Sequence, residues 1–349
     1  MTEPIYLEPI GRIGAAGAAG AAGEPFLGGP GRFIACRRFH RRADGAYDET
    51  IVPVSALSTP AEAASLARLT SPRPPFAGID LDRPVVMGVL NVTPDSFSDG
   101  GDHFDPGRAI AAGQALAEAG AAIIDVGGES TRPGAGETDP GEEIRRVRPV
   151  VQALVAAGLT VSIDTRHAAV MAAALDDGAR IVNDVSALTH EPESLPLVAA
   201  GEAAVLLMHM QGTPADMQAK PRYGFAPLDI FDTLAGRVAA CLEAGLPRAR
   251  LAVDPGIGFG KTAQHNIDIL HHLALFHGLG CAVALGVSRK LRVGPASAGV
   301  APKDRGPGTL AAILAAVDQG VRILRVHDVA ETVQALEIQA AIATGAISR

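Results

Sequence analysis

Eight short apolar runs, each closing on a polar or charged residue, constrain this chain more than any single motif. They are Val86 to Leu90 before Asn91, Ala122 to Ile124 before Asp125, Val161 to Ile163 before Asp164, and Ile181 to Val182 before Asn183. The other four are Ala204 to Met208 before His209, Leu251 to Val253 before Asp254, Ala282 to Val287 before Ser288, and Ile323 to Leu324 before Arg325. Amphipathic stretches between them mostly stop at a glycine, as at Gly120, Gly158, Gly178, Gly245 and Gly320, where a left-handed residue suits a helix end. This period predicts a (β/α)₈ TIM barrel whose parallel strands are buried on both faces. The loops after all eight strands of such a barrel converge on one mouth, so polar residues far apart in sequence share a pocket. The polar set therefore reads as one site.

A barrel of about 250 residues fits residues 84–349 of the 349. Residues 1–80 differ: a Gly/Ala run from Gly14 to Gly23, a basic patch from Arg37 to Arg42, then a Pro/Ser/Ala-rich stretch to Phe76. They read as a partly flexible amino-terminal extension with one or two short strands, Arg32 to Cys36 among them. That strand could belong to a hairpin plugging the amino-terminal end of the barrel, or to a subunit contact. A net charge of −8 with no Trp and three Tyr argues against a nucleic-acid surface. Cys36, Cys241 and Cys281 are widely spaced and form no CxxC pair, so neither a disulfide framework nor a structural zinc site is expected. The opening residues lack the pattern of an export signal and no apolar stretch reaches membrane-spanning length, so a cytoplasmic protein without membrane contact is expected.

Two long Gly/Pro-rich loops, Asn91 to Asp105 and Gly127 to Glu137, follow the first two strands and read as lids at the catalytic face. The first opens Asn91-Val92-Thr93-Pro94-Asp95-Ser96-Phe97-Ser98-Asp99-Gly100-Gly101, and strand two runs into Asp125-Val126-Gly127-Gly128-Glu129-Ser130-Thr131-Arg132-Pro133-Gly134. Asp164-Thr165, Asn183-Asp184-Val185, Met208-His209-Met210-Gln211-Gly212, Asp254-Pro255-Gly256 through Lys261, Ser288-Arg289-Lys290 and Arg325-Val326-His327-Asp328 follow in order. With these eight motifs the chain closely resembles the dihydropteroate synthases, over essentially all of Pro84 to Gly345. The resemblance implies a transferase of folate biosynthesis. It joins 6-hydroxymethyl-7,8-dihydropterin diphosphate to p-aminobenzoate, giving 7,8-dihydropteroate and pyrophosphate.

The chemistry suits the residues. A pterin shows an exocyclic amine beside a ring N–H, an edge that a carboxylate accepts bidentately. By the resemblance Asp254 takes that edge, Asn183 and Asp164 bind other ring nitrogens, and Lys290 donates to the ring carbonyl and its neighbouring nitrogen, with Met208 and Gly286 lining the same pocket. Arg325 and His327 alternate on the last strand and can reach one anion. Arg132 and the Thr131 hydroxyl join them on the diphosphate, and the family places magnesium on Asn91, an ion that commonly keeps waters and binds through the substrate's phosphates. Asp125 reads as an organiser on the pyrophosphate side that helps position the first loop. The carboxylate of p-aminobenzoate is expected on Ser288 and on backbone N–H groups starting the helix after strand seven. Phe97, Pro133 and Phe259 are candidate walls for its ring. The resemblance further implies a homodimer and sulfonamide sensitivity.

Gly256 to Thr262 resembles a phosphate loop, but the first glycine of that pattern is replaced by Pro255, so ATP binding is not supported. Lys261 is then expected at the surface or in a supporting role. His265, His271, His272 and His277 read as surface or packing residues, since no carboxylate or cysteine completes a zinc set. Two other functions fit a pterin pocket: a methyltransferase domain serving a corrinoid protein, and a non-catalytic paralogue. The intact Thr131-Arg132, Ser288-Arg289-Lys290 and Arg325-Val326-His327 argue against both.

Overall fold

The computed structural model describes residues 5–13, 22–29, 31–93, 105–130 and 136–347. Four strands come first: β1 (Ile5–Ile13), β2 (Glu24–Pro25), β3 (Arg32–Arg41) and β4 (Tyr47–Pro53), then helix α1 (Pro60–Thr70). The barrel strands are β5 (Val85–Asn91), β6 (Ile123–Gly127), β7 (Val161–Asp164), β8 (Ile181–Asp184), β9 (Ala204–Met208), β10 (Leu251–Asp254), β11 (Ala282–Leu285) and β12 (Ile323–Val326). All pair in parallel, and β12 pairs back onto β5 to close the barrel. The helices around it are α2 (Pro106–Glu118), α3 (Pro140–Ala156), α4 (Ala168–Asp176), α5 (Ser194–Ala200), α6 (Ala226–Glu243), α7 (Ala263–His271), α8 (Gly306–Asp318) and α9 (Val329–Thr344). The five predicted terminating glycines all have positive φ, from 79° at Gly158 to 103° at Gly120.

The two-residue period of a strand decides which residues enter the barrel. Val86, Ile124, Val182, Val253 and Leu324 belong to the layer between strands and helices. Their neighbours Met87, Ile123, Ile181, Ala252 and Ile323 belong to the inner core. Two residues further along, Asp125, Asn183, Asp254 and Arg325 point inward by the same alternation, above that apolar floor. The site is thus the next layer of the barrel filling.

The amino-terminal end of the barrel is closed by Phe76 and Leu81, 1% and 4% exposed, against Met87, Ile123 and Ile181. Burying the Phe76 ring stabilises the fold by roughly 1.5–3 kcal/mol. This corrects the expectation of an Arg32 to Cys36 plug. β3 instead lies within an antiparallel sheet ordered β1-β3-β2, with β4 also pairing β3. Its charged side chains exclude it from an apolar barrel end but suit a flank.

Tyr6 and Phe39 pack on Leu228 of α6 and on Leu275, while the Tyr6 hydroxyl donates to Asp232 at 2.8 Å. Glu8, nearly fully buried, forms an ion pair with Arg37 at 3.0 Å and lies 2.9 Å from His272 Nδ1. The basic patch is matched by neighbouring acids, Arg38 with Glu62 at 2.9 Å and Arg41 with Asp229 at 2.8 Å, which removes it as an anionic-polymer surface. His272 and His277 are buried and His265 caps α7, in keeping with packing roles. Among the described residues no helix is long and apolar enough to cross a membrane.

Candidate active site

A cavity of about 960 Å³ opens at the carboxyl ends of the strands, lined among others by Asn91, Asp164, Phe259, Ser288, Lys290, Arg325 and His327. Its floor is a charge network that no local sequence signal reveals. Arg325 Nε donates to Asp125 Oδ2 and its NH2 group to Asp164 Oδ2, both at 2.6 Å. Asn183 Nδ2 donates to the same Asp125 oxygen at 3.0 Å. Asp125 Oδ1 is buried without a hydrogen-bond partner, an orphan acceptor that favours a ligand N–H. Burial raises the Asp164 carboxyl; Arg325 opposes that shift and Asp125 adds to it. Burial works against the charge of Arg325, yet Asp125 and Asp164 hold it protonated above its ordinary range.

Across the barrel, Asp254 Oδ1 accepts the Gly256 N–H at 2.7 Å and Oδ2 the Gly286 N–H at 3.0 Å. Each oxygen keeps a lone pair for a ligand. A Cβ at Gly286 would lie 3.4 Å from Asp254 Oδ2 and 3.6 Å from Lys290 Nζ, narrowing the space over that edge. At Gly256, with φ 71°, a Cβ would sit 1.9 Å from the His209 carbonyl oxygen, so only glycine fits. Burial pushes the Lys290 ammonium down to about 8, with Asp254 working against the shift. Its Nζ lies 4.5 Å from the centroid of Phe259, a cation–π contact that orients both. Met208, 5% exposed, belongs to the inner core with Phe259.

Three expectations change. Burial, helped by Arg289 and Arg325, lowers His327 to about 4, so near neutral pH it offers an anion a hydrogen bond and no charge. Its Nδ1 lies 3.0 Å from Ser288 Oγ, which also accepts the His327 N–H at 3.2 Å. No helix starts at Ser288: Arg289 turns left-handed at φ 62°, and α8 begins only at Gly306. Gly294, Pro295 and Pro302 interrupt the intervening chain, so no α-helix end is present beside Ser288.

Of the two expectations for Lys261, the surface position fails and the supporting role fits. Lys261 is 3% exposed and donates to the His209 and Phe259 carbonyls at 3.2 and 2.9 Å, with His209 Nδ1 at 3.0 Å. Burial lowers it to about 7 and His209 to about 3. Left-handed Gly256, Gly258 and Gly260 coil the segment back on itself, and those alternating glycines were the available signal. Phe97, Thr131, Arg132 and Pro133 lie outside the described residues.

Carboxylates on two sides of the site, the Lys290 ammonium beside Asp254 and an apolar layer below the charged floor suit a planar heteroaromatic bearing both N–H donors and a carbonyl. A family model described as "Pterin binding enzyme" matches residues 87–327. The chain is 44% identical over 261 residues to dihydropteroate synthase of Escherichia coli (strain K12), covering 74% of this chain and 92% of that protein. It is similar to the Yersinia pestis dihydropteroate synthase solved with a sulfonamide drug, with TM-score 0.71 and 44% identity over 76% of this chain and 96% of that one. The Xanthomonas albilineans dihydropteroate synthase in complex with 7,8-dihydropteroate gives TM-score 0.68 and 43% identity over 76% and 95%.

Proposed function

Since the chain belongs to the pterin-binding enzymes, as a dihydropteroate synthase of folate biosynthesis, we propose how its residues divide the reaction. The observation that carries the assignment is the Asp125–Asn183–Asp164–Arg325 network under a cavity lined by Asp164, Lys290 and Arg325, with Asp254 beside Lys290. Asp254 takes the amine and ring N–H edge of the pterin, and Lys290 donates to the ring carbonyl. The orphan Asp125 oxygen, with Asn183 and Asp164, meets the remaining ring nitrogens. This extends Asp125 from the pyrophosphate side into the pterin floor.

In the reaction the bond from the pterin methylene carbon to the diphosphate oxygen breaks, and the pair of electrons leaves with pyrophosphate. The p-aminobenzoate nitrogen then bonds to that carbon and releases a proton. Positive charge developing on the electron-rich ring sits beside Asp125 and Asp164, fixed before the reaction begins, so little reorganisation is required. Arg325 and the His327 hydrogen bond, with Thr131 and Arg132, bind the leaving group. Asn91 ends β5 half-buried at the cavity wall. Its neutral amide oxygen fits a magnesium ion that arrives on the diphosphate and keeps several waters. What such an ion supplies is charge neutralisation of the leaving group. Ser288 binds the p-aminobenzoate carboxylate, and Phe259 packs on its ring.

Purified protein with dihydropterin diphosphate and magnesium should release pyrophosphate only when p-aminobenzoate is added, with equimolar dihydropteroate. Tight pterin binding without turnover would return the non-catalytic reading. In the same assay Ser288→Ala should raise KM for p-aminobenzoate about tenfold, one hydrogen bond to a charged group being worth roughly 1.5–3 kcal/mol. An unchanged KM would move the carboxylate elsewhere. A homodimer fits this reading, supported by an apolar groove between α8 and α9 in which Ile338 and Ile342 are 59% and 77% exposed. Sedimentation should report twice the chain mass, and a monomer would remove that part of the proposal.

A further inference from the structure

Three connections at the barrel mouth bring together residues that the cavity does not use. Glu137 precedes α3, His167 is the residue before α4, and His190 follows β8. Glu137 Oε1 lies 3.8 Å from His167 Nε2 and 3.4 Å from His190 Nε2, and all three donor atoms fall within 4.8 Å of one another. His167 is 2% exposed, and its Nε2 is buried without a hydrogen-bond partner. Such a group costs on the order of 1–3 kcal/mol unless something binds it. Its Nδ1 faces Glu191 Oε1 at 2.8 Å, and the other Glu191 oxygen accepts the Ala168 N–H at 2.7 Å. A carboxylate that takes the Nδ1 proton leaves the Nε2 lone pair free, which is how proteins orient a metal-binding histidine.

Local charge agrees. Arg166 is balanced by Glu129 through two 3.0 Å hydrogen bonds, and the same guanidinium lies 3.5 Å from Glu137 Oε1. Glu137 and Glu191 then bring two further negative charges to the two imidazoles, matching a divalent ion.

We propose that Glu137, His167 and His190 bind a divalent transition-metal ion of the zinc class, through two imidazole nitrogens and one carboxylate oxygen. Two nitrogen ligands favour zinc over magnesium, so this site differs in chemistry from the oxygen site at Asn91. Zinc bonds of about 2.0–2.2 Å require the donors to close by roughly an ångström. The Glu137 and His190 side chains, 59% and 28% exposed, have room to move onto the fixed His167. Occupancy would tie together the connections after β6, β7 and β8.

Full-length protein freed of metal with a chelator should take up one Zn²⁺ per chain in calorimetry. Co²⁺ as a probe should give a visible absorption band. His190→Ala and Glu137→Ala, both at solvent-reachable positions, should each weaken uptake at least about tenfold. Glu191→Gln, acting only through His167, should weaken it about tenfold as well, the usual effect of losing an orienting partner. No stoichiometric uptake by the unaltered chain would overturn the site, as would uptake that His190→Ala and Glu137→Ala leave unchanged.

Discussion

Asp254→Ala is expected to abolish measurable pterin binding. Both carboxylate oxygens are already positioned by backbone N–H groups, those of Gly256 and Gly286, so the bound geometry is in place before any ligand arrives. Two hydrogen bonds to a charged acceptor contribute about 3–6 kcal/mol together. Each 1.4 kcal/mol is roughly tenfold, so affinity should fall by more than about 100-fold. The substitution also strips partners from the two N–H donors, an additional cost in the free protein. Calorimetry with the unphosphorylated hydroxymethyl dihydropterin isolates the pterin edge from the diphosphate. Near-normal affinity there would sink the pocket assignment.

Arg325→Met should damage both catalysis and stability, because one guanidinium serves two carboxylates as well as the leaving group. Removing one partner of a buried ion pair costs about 3–5 kcal/mol, and here Asp125 and Asp164 would be left side by side. The Asp164 carboxyl, already raised by burial and held down by Arg325, would then rise further above the unfolded value of about 4. A raised acid pKa means that the folded state holds the proton more tightly. The stability it contributes is present below the unfolded pKa and is lost as pH rises through the folded one. The deficit against the unaltered protein should therefore be larger in urea unfolding at about pH 8 than at about pH 5. Adding Asp125→Asn to Arg325→Met should recover part of the stability and none of the turnover. Affinity for the dihydropterin diphosphate should fall about 100-fold more than affinity for the unphosphorylated pterin, since an anion would meet uncompensated carboxylates where a cation stood. Equal losses for the two ligands would leave Arg325 a structural residue only.

How far the site could be read in advance depended on whether its signal was local. Asp125, Asn183, Asp254 and Arg325 each sit two residues beyond an inward apolar residue on a short strand, and a period of two is visible in any strand. The burial of Lys261 is not legible in its likeness to a phosphate loop, since it depends on left-handed Gly256, Gly258 and Gly260 turning the segment that carries it. The neutral state of His327 is not legible either, since burial and two neighbouring arginines set it.

The chain order alone determined the barrel, its glycine helix ends and the inward polar layer, because hydrophobic alternation and helix termination are properties of neighbouring residues. Only the tertiary structure decided that Arg325 spends its charge on Asp125, 200 residues away. It also decided that the amino-terminal sheet docks on the flank through Glu8 and His272, and that Glu137, His167 and His190 meet. Closing a barrel converts distance along the chain into contact across it, and charge, burial and protonation follow from those contacts.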